Sequence, residues 1–157
     1  MKKFFKRLNP RPKTFESEFE KLTAELVQVC FEYVNFDSEN VQKIFIYVST
    51  ELDTIWFNTF YKINDELHRK HKVGEKYDTS SEMQYKLIEV ANSINQKLIQ
   101  NFRKHSKDVP TELRITYAVE GGKFNCDLKY DAVIADNPEL DWHSLCEEWM
   151  ESEKLSR

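Results

Sequence analysis

Thr111–Asp131, TELRITYAVEGGKFNCDLKYD, is the stretch from which the fold can be read. Leu113, Ile115, Tyr117 and Val119 alternate with Arg114, Thr116, Ala118 and Glu120. Beyond Gly121-Gly122, Phe124, Cys126, Leu128 and Tyr130 alternate with Asn125, Asp127 and Lys129. Successive side chains of a strand point to opposite faces, so this period of two predicts an antiparallel pair with one apolar and one polar face. The paired glycines supply the positive φ of a tight hairpin turn. The polar face carries mixed charges and no grouping of catalytic residue types, as suits a binding platform.

Working back along the chain, Val41–Thr50 (VQKIFIYVST) and Ile55–Lys62 (IWFNTFYK) are rich in β-branched and aromatic residues. The link Glu51-Leu52-Asp53-Thr54 is short enough for a second hairpin. Apolar side chains fall on both faces of these strands, which predicts that a helix or a partner covers part of the outer face.

The intervening segments read as helices. Phe15, Phe19, Leu22, Leu26, Val29 and Tyr33 recur at spacings of four, three, four, three and four, one stripe of an amphipathic helix from near Thr14 to before Asp37. Residues 64–80 are polar and read as a loop with a further short strand near Val73–Tyr77. Thr79-Ser80-Ser81-Glu82 has the form of a capping box opening a second helix, with Met83, Leu87, Val90, Ile94, Leu98 and Phe102 as its stripe and an end near His105. Asn137-Pro138 predicts the start of a last helix, docked by Leu145, Trp149 and Trp142. The order helix, hairpin, helix, hairpin, helix gives an α+β fold: an antiparallel sheet of about four to five strands with helices packed mainly on one face.

The length of 157 residues suits one domain, taken as 14–157, preceded by a basic flexible arm over 1–13. That arm carries Lys2, Lys3, Lys6, Arg7, Arg11 and Lys13 and no acid; removing these six charges from the formal net −4 leaves −10 for residues 14–157. An acidic body repels nucleic acid and steers encounter with basic proteins. Residues 131–157 concentrate this charge, with eight acids against Lys154 and Arg157. The opening MKKFFKRLNPRPK lacks the apolar stretch of roughly 7–15 residues of a signal peptide, and no run approaches the roughly 18 apolar residues of a membrane span. Cys30, Cys126 and Cys146 are far apart and lie among apolar neighbours, which reads as free core thiols in a cytoplasmic protein.

Chemistry-bearing motifs are sparse. Asp65, His68 and His71 would share one side of a helix and could hold a metal, but Arg69, Lys70 and Lys72 stand among them and oppose a cation, so the segment reads as a solvated loop. Three glycines, two of them at one turn, build no phosphate cradle. No nucleophile elbow is present, and mid-strand Cys126 on an apolar face is a poor thiolate. Phe45, Tyr47, Phe57 and Tyr61 offer rings for base stacking, against which the acidic body weighs. No catalytic, cofactor-binding or metal-binding residue is assigned, and no cofactor is expected.

Over roughly Phe19–Trp149 the chain resembles the YezG-like immunity proteins, bacterial antitoxins of polymorphic nuclease toxins. The resemblance rests on a helix leading into Gln42-Lys43-Ile44-Phe45-Ile46-Tyr47 and a strand with Trp56-Phe57-Asn58-Thr59. It continues through a long helix ending before Lys107-Asp108-Val109-Pro110-Thr111 and the hairpin of Leu113–Tyr117 and Asp127–Asp131. It implies stoichiometric neutralisation of a nuclease toxin domain without catalysis. The chemistry of an acidic decoy for a phosphate-gripping face then points to Glu51, Asp53, Asp127, Asp131, Glu147, Glu148 and Glu151 as contacts, with Trp56 as an aromatic anchor. The expected partner is a basic protein, with no direct nucleic acid and no membrane; a homodimer stays open. The alternatives are a non-catalytic housekeeping module joining host proteins and a metal-dependent hydrolase or nuclease.

Overall fold

A computed structural model describes residues 13–155. Most of the predicted basic arm, residues 1–12, lies outside the described residues. Helix α1 spans Phe15–Tyr33. Thr14 starts it: its hydroxyl accepts the Ser17 N–H at 3.0 Å while the Ser17 hydroxyl accepts the Thr14 N–H at 3.1 Å, which satisfies donors that a helix leaves orphaned at its first turn. Asn35 and Phe36, at φ 58° and 52°, turn the chain out of the helix.

The sheet has five antiparallel strands in the order β3-β2-β1-β4-β5: β1 Val41–Ser49, β2 Trp56–Ile63, β3 Glu66–Arg69, β4 Glu112–Ala118 and β5 Lys123–Lys129. Both predicted hairpins form. The second turns through Gly121 and Gly122 at φ 84° and 63°, a conformation closed to most side chains. The first turns through Leu52 and Asp53, both at positive φ without being glycine. The extra strand forms at Glu66–Arg69 rather than near Val73–Tyr77. It follows a two-residue turn at Asn64-Asp65, both at positive φ, a combination that types the turn as I′. Val73 and Tyr77 are instead loop residues buried in the core, with the Tyr77 hydroxyl donating to Asp37 at 2.6 Å.

Helix α2 spans Ser81–Lys104. Ser80 caps it, accepting the Met83 N–H at 3.3 Å, one residue later than the Thr79–Glu82 box predicted. Helices α1 and α2 cover one face, where Leu26, Ile44, Ile46, Tyr61 and Ile115 are fully buried. Helix α3, Trp142–Leu155, covers the other. Its start is later than Pro138 because Asp141 and Ser144 cap one another: Ser144 N–H donates to the Asp141 carboxylate at 2.7 Å and Asp141 N–H to the Ser144 hydroxyl at 3.1 Å. Phe45, Tyr47 and Phe60 are buried there against Leu145, Cys146, Trp149 and Met150. The apolar outer face expected for the first hairpin is thus covered from within the chain. Phe45 and Phe60 stack at 4.6 Å between ring centroids, and Trp149 meets Phe60 edge-on at 5.1 Å. Such pairs add about 0.5–1.5 kcal/mol each beyond their buried area.

Candidate functional site

The fold consumes some of the predicted contact residues. Glu51 is only 8 % exposed. Its carboxylate accepts the Ile134 N–H at 3.1 and 3.0 Å and the Ala135 N–H at 3.3 Å, so it fastens the segment before α3 to the first hairpin. Glu147 forms a forked ion pair with Arg69 of β3, including an Nε–Oε2 bond of 2.9 Å. The guanidinium holds the Glu147 carboxyl below its ordinary range. Trp56 is half-buried and meets Tyr47 edge-on at 5.7 Å between centroids.

Asp53, Asp127, Asp131, Glu148 and Glu151 are exposed. They do not form a single cluster in the topology. Asp53 sits at the tip of the β1–β2 turn, Asp127 on the outermost strand, Asp131 just beyond it, and Glu148 and Glu151 on α3. Glu151 receives Lys154 at 3.0 Å.

The residues considered for other chemistry are likewise accounted for. Asp65 exchanges hydrogen bonds with the Gln42 side chain at 2.9 and 2.5 Å. His68 Nδ1 lies 3.1 Å from the Lys72 carbonyl oxygen. Partial burial and the neighbouring Lys72, Lys70 and Arg69 push the His71 imidazolium down. Among the described residues no three His, Cys, Asp or Glu side chains are grouped to hold a metal. Phe45, Tyr47, Phe57 and Tyr61 are at most 5 % exposed, so none of them is a stacking platform for bases. Burial pushes the thiols of Cys30, Cys126 and Cys146 up to about 12, which leaves them protonated and unreactive near neutrality. No helix of the described residues is long and apolar enough to cross a membrane.

Beside β5, and overlooked by the sequence reading, lies an open apolar groove of about 530 Å³, lined by Ala24, Val27, Phe31, Phe36, Tyr117 and Phe124, with Glu20 at its edge. Phe36 and Phe124 are 47 % and 42 % exposed. Alternation assigned Phe124 to an apolar face, and that is where it points, but among the described residues no helix reaches over the outer strand to cover it. The strand order, which the local sequence pattern does not encode, is what separates a covered apolar residue from an uncovered one.

A family model described as immunity protein YezG-like matches residues 19–153. The chain belongs to this family. The match runs from α1 through most of α3, so the whole sheet and both helix layers of the YezG-like fold fall within it. The family description supports an immunity role, a protein partner and a non-catalytic mode of action. No curated protein matches the chain.

Proposed function

We propose that this YezG-like chain neutralises the nuclease domain of a bacterial toxin by binding it one to one in the cytoplasm. The observation that carries the reading is the family match over residues 19–153. The distribution of charge supports the nuclease as target. Residues 14–157 carry a formal −10, and Asp53, Asp127, Asp131 and Glu148 remain exposed after internal pairing is subtracted. A nuclease must grip phosphates, so its working face is basic; an acidic surface occupies that face in place of nucleic acid. Opposite charge raises the encounter rate, and apolar anchors slow dissociation. Asp127 shares β5 with the groove-lining Phe124, and it is the contact this reading favours.

The test is titration of the chain into the toxin domain encoded beside it, with cleavage of nucleic acid as readout. Activity should fall linearly to zero at an equimolar ratio. Full inhibition at a small fraction of equimolar would show turnover and end the stoichiometric reading.

A further inference from the structure

β5 is an outer strand whose hydrogen-bonding pattern can be derived from its neighbours. The Val119 N–H donates to the Gln42 carbonyl at 2.9 Å, in register with Ile44↔Tyr117 and Ile46↔Ile115. Odd-numbered residues of β4 therefore exchange hydrogen bonds with β1, and the alternation of an antiparallel ladder turns Glu112, Arg114, Thr116 and Ala118 toward β5. Their partners across that pair are Lys129, Asp127, Asn125 and Lys123. Phe124, Cys126 and Leu128 are left with peptide N–H and C=O groups directed outward. No strand of the described residues pairs with them.

These three residues are also the apolar row of β5 on the α1 side. One row thus offers a free hydrogen-bonding edge and extends the floor of the groove under α1. Proteins commonly blunt such edges with lysine, proline, bulges or a covering element. β5 has lysine only at its two ends, Lys123 and Lys129, and no proline, and its register with β4 is unbroken.

Resting on the immunity reading above, we propose that this edge receives an extended segment of the toxin as a sixth strand. Main-chain bonds would run to Phe124, Cys126 and Leu128. Alternate apolar side chains of the segment would seat against Phe36, Tyr117 and Phe124, a basic one at the groove's edge would face Glu20, and those between them would lie on the opposite face, the side of Asp127. Charge selects this occupant. The exposed side of α1 next to the groove carries Glu16 and Glu20, while on the far face of β5 Asp127 stands between Lys123 and Lys129, so the acidic side of the edge is the groove side. A second copy of the chain is itself net negative, −4 overall and −10 over residues 14–157, and meets these acids with like charge, whereas a basic segment complements them.

The experiment uses the full chain and the purified toxin domain encoded beside it. Amide exchange of the isotope-labelled chain, read residue by residue, should show Phe124, Cys126 and Leu128 exchanging fast when free and slowly in the complex. Cys126→Pro removes an N–H that the fold does not use, and should weaken binding about 100-fold at an unchanged melting temperature. Ala24→Arg fills the groove from the helix side without touching β5, and should weaken binding about tenfold or more. It keeps the test alive if the proline variant is unstable. A complex in which those three amides exchange as in the free chain overturns the proposal and leaves the immunity reading standing. Absence of any complex with the unaltered chain removes both. A chain that sediments alone as a dimer, with the same amides already protected, assigns the edge to a second copy and also overturns the proposal.

Discussion

Tyr47 donates its phenolic hydrogen to Glu112 across 2.5 Å, beneath α3. The same carboxylate accepts Arg114 Nε at 2.8 Å, and the Arg114 guanidinium lies 5.3 Å from the centre of the Trp149 ring. Burial, together with the Glu112 hydrogen bond and charge, holds the Tyr47 hydroxyl protonated far above its ordinary range. The network joins β1, β4 and α3. Glu112→Ala strands the Arg114 charge and leaves the Tyr47 hydroxyl without its acceptor, a loss expected near 3 kcal/mol. Tyr47→Phe removes one bond and should cost about 1–2 kcal/mol. Urea denaturation reads both as a lower midpoint at constant slope. A Glu112→Ala loss below about 0.5 kcal/mol would mean that the ion pair behaves as a surface one.

Acid should unfasten a different place. The Asp37 carboxylate accepts the Tyr77 hydroxyl at 2.6 Å and the Asn40 side-chain amide at 2.9 Å, and Lys76 Nζ stands 3.2 Å away. The Tyr77 bond first, then those from Asn40 and Lys76, depress its pKa far below the ordinary carboxyl range, against the opposing effect of burial. A lowered folded-state pKa stabilises the fold fully above the unfolded value of about 3.9. That stabilisation is lost as the pH falls through the folded value. Asp37→Asn should therefore cost stability at neutral pH and flatten the loss seen between about pH 4 and pH 2. Parallel stability–pH curves for the two proteins would count against this assignment.

Much of the fold was legible because hydrophobic period reports on which residues face an interior. The stripe of Phe19, Leu22 and Leu26 and the alternation of Leu113 and Ile115 each name a buried face, and each is buried or partly buried in the structure. The misread segments are those where side-chain hydrogen bonding or backbone φ decides. Asn64-Asp65 makes a turn by tolerating positive φ, and only this short polar pair marks β3. The Asp141–Ser144 caps override the proline signal at Pro138. The candidate site was the least legible part. The burial of Glu51 depends on the chain returning to it 83 residues later, and the exposed edge of β5 depends on strand order. Neither leaves a local pattern in the residues concerned.

If opposite charge drives the encounter, association with the toxin domain should slow as salt rises. Between about 50 and 500 mM monovalent salt the Debye length falls from roughly 14 to 4 Å, so the association rate should drop about tenfold or more while dissociation changes little. Asp127→Lys should lower the association rate at low salt, and the difference from the unaltered chain should shrink at high salt. Stopped-flow or surface-based kinetics separates the two rates. A salt-independent association rate would remove charge as the steering force, leaving the apolar groove to account for recognition.

Trp149 provides the last expectation. It contacts Phe45 and Phe60 at centroid distances of 5.7 and 5.1 Å and is 6 % exposed. α3 is joined to the sheet by this cluster and by the Arg69–Glu147 pair, whose Arg69 side chain is 38 % exposed. A part-exposed pair contributes about 1 kcal/mol or less, whereas Trp149→Ala should cost about 3–5 kcal/mol through lost burial and a residual cavity. Arg69→Ala should thus leave α3 seated, while Trp149→Ala should release it and uncover Phe45 and Phe60. Dye binding to exposed apolar surface and rapid exchange of the α3 amides would report the release. The α1–α2 layer has its own core on the opposite face, so its amides should stay protected in the same sample. Loss of protection throughout would instead show that the two layers unfold as one unit.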